Sequence, residues 1–189
     1  MIYCITIMSA PNIDKSRIPS KLLWVDLEMT GLDPGEDRIL EIAAEVTDFD
    51  FKTLASYEAV IVQDDEVLEN MNPWAKEQHD KSGLTERIKT IGKRERDVVH
   101  EVVGFIRAQF GDEPAVLAGN SIHNDRIFIR QWWPEVEELL HYRMLDVSSF
   151  KIVMQSKGIS FSKKEVHRAF DDIQASIAEL QYYLSAMRD

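Results

Sequence analysis

Residues 21–28 read KLLWVDLE, a nearly continuous apolar run that ends in two carboxylates. A strand with one wet face would alternate, so a run of this kind belongs to a central strand buried on both faces. The TGLDPGEDR that follows, residues 30–38, supplies Gly, Pro and Asp for a turn. RILEIAAEV then alternates Leu40, Ile42, Ala44 and Val46 against Glu41 and Glu45, and LASYEAVIVQ is rich enough in β-branched and aromatic residues for a third strand. Three neighbouring strands predict an antiparallel meander.

Downstream the period changes. Val98, Val99, Val102, Val103, Ile106 and Phe110 recur at three-to-four spacing and predict an amphipathic helix that ends near Gly111. AVLAG (residues 115–119) reads as a short buried strand. A helix runs from about residues 120–122 toward Trp133, where Pro134 stops it; YRMLDV is a fifth strand, followed by a short helix through Met154. The last helix, residues 169–187, carries Ile173, Ile177, Leu180 and Leu184 as its core stripe. The expected fold is α/β, a mixed five-stranded sheet flanked by helices.

The chain has 189 residues, of which 44% are hydrophobic and 29% charged, which excludes wholesale disorder and collagen-like repetition. A chain this long buries about 70% of its unfolded surface in one domain, and no internal repeat or linker interrupts it, so residues 21–189 read as a single domain behind a flexible tail at residues 1–20. The tail opens MIYCITIMSA without a basic stretch before the apolar one, unlike a signal segment, and Met8 is a second possible start. No apolar run is long enough to span a membrane. Thirty-three acidic against 22 basic side chains give a net charge of −11, which argues against a protein that grips long duplex nucleic acid. A single cysteine, Cys4, allows no internal disulfide and suits a reducing compartment, so a cytoplasmic location is expected.

Asp26 and Glu28 stand two apart on the first strand, so both point to the face that carries Trp24. On local pattern alone they also suit a strand that ends at Val25 in solvent. Asp125 shares a helical stripe with Ile122, Phe128, Ile129 and Trp132, the residues that face the core; a first-turn Asp favoured by the helix dipole is the competing reading. In HRAFDDIQASIAEL, setting Ile173 at the core centre puts Asp172 at the stripe's edge and Asp171 toward water, with His167 five residues before Asp172. Two carboxylates about 5 Å apart repel by roughly 3 kcal/mol at an effective dielectric of about 20. Divalent cations remove that penalty, and all-oxygen ligands favour Mg²⁺ or Mn²⁺. Two such ions about 3.5–4 Å apart hold the attacking and leaving oxygens of a phosphodiester in line, with His167 available to take the proton of the water.

DLEMTGLD from Asp26, GNSIHNDRIFI from Gly119 and HRAFDDIQASIAEL from His167 resemble the three exonuclease motifs of the DEDDh superfamily, and their surroundings, MNPWAKEQHDKSGL and YRMLDVSSFK, resemble the oligoribonuclease family. The resemblance runs from about Leu22 to Tyr183. It implies a ribonuclease H-like sheet, a homodimer, and hydrolysis from the 3′ end of short single-stranded RNA, especially dinucleotides. It also implies that Asp26, Glu28, Asp125 and Asp172 hold two divalent cations, Mg²⁺ or Mn²⁺, with Asp125 acting directly or through a bound water, and that His167 is the general base. By the same resemblance Leu32 is a wedge between bases, Trp74 a stacking platform with His79 nearby, and Ser121 and Ser148 cap the 5′ phosphate, helped by Tyr142 and Arg143 from the other subunit. His123, Asn124, Phe170 and Gln174 depart from the family's usual residues; Gln174 stands where a basic residue is usual. Trp132 and Trp133 add apolar surface suited to an interface. A broader substrate range, longer RNA tails or single-stranded DNA, would need a basic stripe, and only the scattered Lys163, Lys164 and Arg168 are near the third motif. A catalytically silent module would have lost one of the acids.

The helical phase makes a direct prediction. Asp172→Asn abolishes cation-dependent cleavage, whereas Asp171→Asn is milder; equal loss in the two variants would show that the phase is wrong.

Overall fold

β1 (Leu22–Met29) pairs antiparallel with β2 (Ile39–Thr47), and β2 pairs antiparallel with β3 (Thr53–Val60), in the computed structural model, which describes residues 19–162 and 169–187. On its other edge β1 pairs parallel with β4 (Ala115–Gly119), and β4 parallel with β5 (Leu140–Asp146). The order β3-β2-β1-β4-β5 puts β1 at the centre, as its apolar run requires. The five predicted strands are present, with β3 ending at Val60 rather than Gln63 and β5 starting at Leu140 rather than Tyr142.

Helices cover both faces. On one, Leu23, Val25 and Leu27 pack with Val98, Val102, Ile106 and Phe110 of α4 (Glu95–Phe110) and with Phe128 and Ile129 of α5 (His123–Trp132). On the other, Leu22, Trp24 and Ala43 pack with Val147 and Met154 of α7 (Val147–Gln155) and Ile173, Ile177, Leu180 and Tyr183 of α8 (Ala169–Ala186). Period-two alternation along β1 therefore assigns its even-numbered side chains to the α8 face. Gly111, with φ of 61°, ends α4 as expected, and Pro134 opens the short α6 (Pro134–Glu137) directly after α5.

Four elements have no counterpart in the sequence reading: α1 (Asp65–Glu69), α2 (Pro73–Ser82), α3 (Leu84–Ile91) and the four-residue α6. α2 is polar nearly all round and buries only Ala75 and His79, so its periodicity is faint; Asn72, accepting from Trp74 N, and Pro73 at the first position start it instead. The alternation along β2 also has a different meaning than solvent exposure. All nine of its residues are buried; α8 packs on the strand and Arg87 of α3 reaches in to Glu41. There Glu45 accepts from Thr53 Oγ1 (2.5 Å) and from Gln174 of α8, and Glu41 pairs with Arg87 of α3, which also reaches Glu58. Trp133 likewise belongs to the core and not to an interface: it is fully buried and donates from Nε1 to Glu95 (2.9 Å), while Trp132 is half-buried beneath the Arg38 guanidinium. Of residues 1–20, only 19 and 20 are described, and Ser20 donates from N and Oγ to the Glu113 carboxylate (3.0 and 2.9 Å). No helix among the described residues is long and apolar enough to cross a membrane.

Removing Arg87 takes an ion pair from the buried Glu41 carboxylate, whereas Glu58 is exposed enough to be rehydrated. Arg87→Ala is expected to lower unfolding free energy by about 3 kcal/mol and Glu58→Ala by less than about 1 kcal/mol, read from urea melts. Equal effects would mean that the Arg87–Glu41 pair does not hold α3 to the sheet.

Candidate functional site

The parallel strands β1, β4 and β5 end on the same side of the sheet, and α8 begins there. Asp26 and Glu28 follow Leu22 and Trp24 on the face that α8 covers. Asp172 lies in the first turn of α8, at the edge of the stripe that seats Ile173 and Ile177. Carboxylate oxygens of Asp26, Glu28 and Asp172 lie within 4.8 Å of one another, while Asp171 faces solvent. Burial, followed by the charges of Glu41, Asp172 and Asp125, pushes the Glu28 carboxyl up to about 7. Such a group is unstable as three bare anions and fits a divalent cation, whose hard oxygen ligands are of this kind.

Asp125 is in the first turn of α5 and buried, as its stripe predicts. Its Oδ1 accepts the backbone N–H of Leu27 (2.9 Å), between the two β1 acids. Burial raises its pKa, the Leu27 N–H opposes that rise, and the charge of Asp146 adds to it. The structure thus brings three of the four predicted acids into one nest and sets Asp125 beside it, bonded to the strand that carries two of them. His167 lies outside the described residues.

The turn after β1 is clamped by Asp37, which accepts from Thr30 Oγ1 (2.7 Å) and Asp33 N (2.8 Å). A Cβ on Gly31 would collide with that carboxylate, so glycine is required by the close approach. The clamp presents Leu32 almost fully to solvent (79% exposed). Thr30 O accepts from Asn72 N (2.9 Å), which ties the start of α2 to the same turn and sets Trp74, 65% exposed, across from Leu32. Between them lies a cavity of about 220 Å³ whose walls include Glu28, Met29, Leu32, Trp74 and His79. His79 is buried, donates from Nε2 to Met29 O (2.9 Å) and holds Nδ1 3.8 Å from Glu28. The larger groove along α4, about 750 Å³ between Glu95 and Arg107, is lined by none of Asp26, Glu28, Asp125 and Asp172.

The two serines meet beyond β4. Ser121, whose φ is 50°, donates from N to Asp146 Oδ1 (3.0 Å) and Ser148 Oγ (2.9 Å), and the two hydroxyls are 3.1 Å apart. A non-glycine residue in that backbone region is strained and is held there by its surroundings. Asp146 also accepts from Ser148 N (2.8 Å), capping α7; LDVSS, an Asp before a helix, is the signal by which the sequence could have identified it. Tyr142 and Arg143 lie on β5, an edge strand, with Tyr142 72% exposed. Gln174 does not face the acids: it donates to the buried Glu45 and so helps to seat α8 on β2. His123 is mostly exposed, with Nδ1 3.7 Å from Asp146, and Phe170 packs against the α8 core.

Residues 23–180 match the family model described as Exonuclease. A curated relative named Oligoribonuclease in Francisella tularensis subsp. tularensis (strain WY96-3418) is 45% identical over 165 residues, 86% of this chain and 93% of the relative. Another of that name in Shewanella frigidimarina (strain NCIMB 400) is 40% identical over 169 residues, 87% of this chain and 93% of the relative. Among solved structures, exonuclease I from Methylocaldum szegediense aligns with a TM-score of 0.67 at 18% identity over 89% of this chain and 41% of that one. E. coli exonuclease I in complex with a 5cy-dT13 oligonucleotide aligns with a TM-score of 0.62 at 18% identity over 88% of this chain and 40% of that one. This chain spans about two fifths of those exonuclease I chains, and the likeness is one of fold. With identities of 40–45% running over nearly the whole length of the curated relatives, this chain belongs to the exonuclease family and, within it, to the oligoribonucleases.

Proposed function

We propose that this protein is a 3′-to-5′ exoribonuclease that hydrolyses short single-stranded RNA, dinucleotides above all, to nucleoside 5′-monophosphates. The observation that carries the reading is the nest of Asp26, Glu28 and Asp172 opening into a small cavity walled by Leu32 and Trp74. When bound there, a pair of Mg²⁺ or Mn²⁺ ions supplies an activated water and charge for the departing 3′ oxygen. Asp26, Glu28 and Asp172 would hold the ions, and Asp125, fixed by the Leu27 N–H, would act directly or through a water. His167, at the motif position of the general base, takes the proton of the attacking water. Water adds to phosphorus, the 3′ oxygen of the preceding nucleoside leaves, and a nucleoside 5′-monophosphate is released.

Trp74 stacks on a base and Leu32 wedges between bases, contacts that any base satisfies. His79 lies in the same wall and keeps Met29 and Glu28 in register. Ser121 and Ser148 cap the 5′ phosphate, and closing that end of the channel is what limits length. Tyr142 and Arg143 lie on the edge strand β5 with Tyr142 exposed, which supports a homodimer in which each subunit offers them to the other. The acidic net charge supports a pocket for few phosphates over a groove for many. We assign residues 21–189 to one exonuclease domain and the protein to the cytoplasm.

The test offers 5′-labelled RNAs of two to about twenty nucleotides with Mg²⁺, Mn²⁺ or chelator. Preferential turnover of the dinucleotide with either cation and none with chelator is expected; similar rates at all lengths, or equal turnover of single-stranded DNA, overturn the short-RNA reading. Trp74→Ala is expected to raise KM about tenfold, the loss of one stacked base, while kcat changes little.

Protons and cations compete for Glu28. Its folded pKa of about 7 exceeds its ordinary 4.5, so its contribution to the stability of the metal-free protein is full below about pH 4.5 and lost as pH rises through 7. Magnesium is therefore expected to raise Tm more at pH 8 than at pH 6, read by thermal melts. An equal rise at both values would mean that Glu28 is not a ligand.

A further inference from the structure

Glu179 lies in the middle of α8, is 1% exposed, and has no part in the carboxylate nest. Its Oε2 accepts from Asn120 Nδ2 (3.1 Å) and its Oε1 from Tyr183 OH (2.8 Å), with Lys151 Nζ 3.8 Å away. The second proton of Asn120 Nδ2 goes to Ser176 Oγ (2.9 Å), which can accept because its own hydroxyl donates to Asp172 O (2.7 Å). Both amide protons are thus drawn toward α8. The remaining end of the side chain, Oδ1, faces the serines and accepts from Ser148 Oγ (3.3 Å).

We propose that Glu179 is a positioning residue for substrate recognition: by fixing the direction of the Asn120 amide it sets the donor order of Ser148 and Ser121. The inference rests on the reading of the serine pair as the seat of the 5′ phosphate. An ionised carboxylate only accepts, so Asn120 can turn only its NH₂ toward it. With Oδ1 then facing Ser148, the Ser148 proton is committed to Asn120, and its lone pairs accept from Ser121 N and Ser121 Oγ. The Ser121 hydroxyl is left as the donor that a phosphate oxygen can take over. A flipped amide would set two oxygens against each other at Glu179 and reverse the order of the chain. The same bonds join the β4–α5 turn to the turn of α8 that carries Asp172, so the phosphate seat and the metal nest keep a constant spacing.

Charge and position predict opposite signs. A carboxylate acting through space repels phosphate, so its neutralisation would tighten binding; one that orients Asn120 weakens binding when lost. The test compares a dinucleotide bearing a 5′ phosphate with one ending in 5′-OH, with the Mg²⁺-loaded enzyme. Glu179→Gln is expected to raise KM for the phosphorylated substrate about tenfold, the worth of one hydrogen bond, with kcat and the 5′-OH substrate unchanged. Asn120→Ala, at a half-buried position, reads the same contact from the other side and carries the measurement if Glu179→Gln does not fold. In a Ser148→Ala background either change is expected to add nothing further. Retained preference for the 5′ phosphate in a folded variant, or a lowered KM in Glu179→Gln, overturns the inference alone. A wild-type enzyme with equal KM for both substrates instead removes the reading of the serine pair, and the inference with it.

Discussion

Repulsion among carboxylates at the ends of β1 and α8 is the constraint around which the fold is arranged. Three oxygens within 4.8 Å of one another, from Asp26, Glu28 and Asp172, are a configuration no small domain would adopt without strong compensation elsewhere. The compensation is apolar. Trp24 and Ala43 below the acids, and Ile173, Ile177, Leu180 and Tyr183 above, bury a continuous layer that presses α8 onto the sheet. The energy of that layer holds Asp172 against its like-charged neighbours, and a cation then relieves the repulsion where it is concentrated.

The elements around the nest are held by polar contacts that range from buried to half-buried. Glu45 and Gln174 fasten α8 to β2, Leu27 N–H fixes Asp125, and Asp37 braces the turn that carries Leu32. The first two join segments distant in sequence and the third closes a local turn, so the side chains around the nest are held in place by the fold itself. The site sits at the carboxyl ends of the parallel strands, where the chain leaves the sheet and side chains from several connections can meet.

Much of this was legible in the residues. Period-two geometry carried Asp26 and Glu28 to the face of Trp24, and the 3.6-residue period separated Asp172 from Asp171, because both inferences depend only on local backbone geometry. The five strands, the meander of the first three and the helices α4, α5, α7 and α8 followed from apolar patterning, whereas the order β3-β2-β1-β4-β5 came from the structure. α1, α2, α3 and α6 did not, since a helix such as α2 that buries only Ala75 and His79, or α6 with four residues, carries almost no pattern to read. The burial of Glu41, Glu45 and Trp133 was also invisible, because each depends on a partner brought from elsewhere in the chain.

The amino-acid order alone therefore established which residues are acidic and which face of each element they occupy, since these are properties of spacing along a single element, while three separate motifs carried the resemblance to a family. Three-dimensional packing alone established that three of the acids form one nest with Asp125 beside it, that Gln174 serves Glu45, and that Glu179 governs Asn120. Distances between side chains on different elements are set by how helices and strands pack, and no local period encodes them.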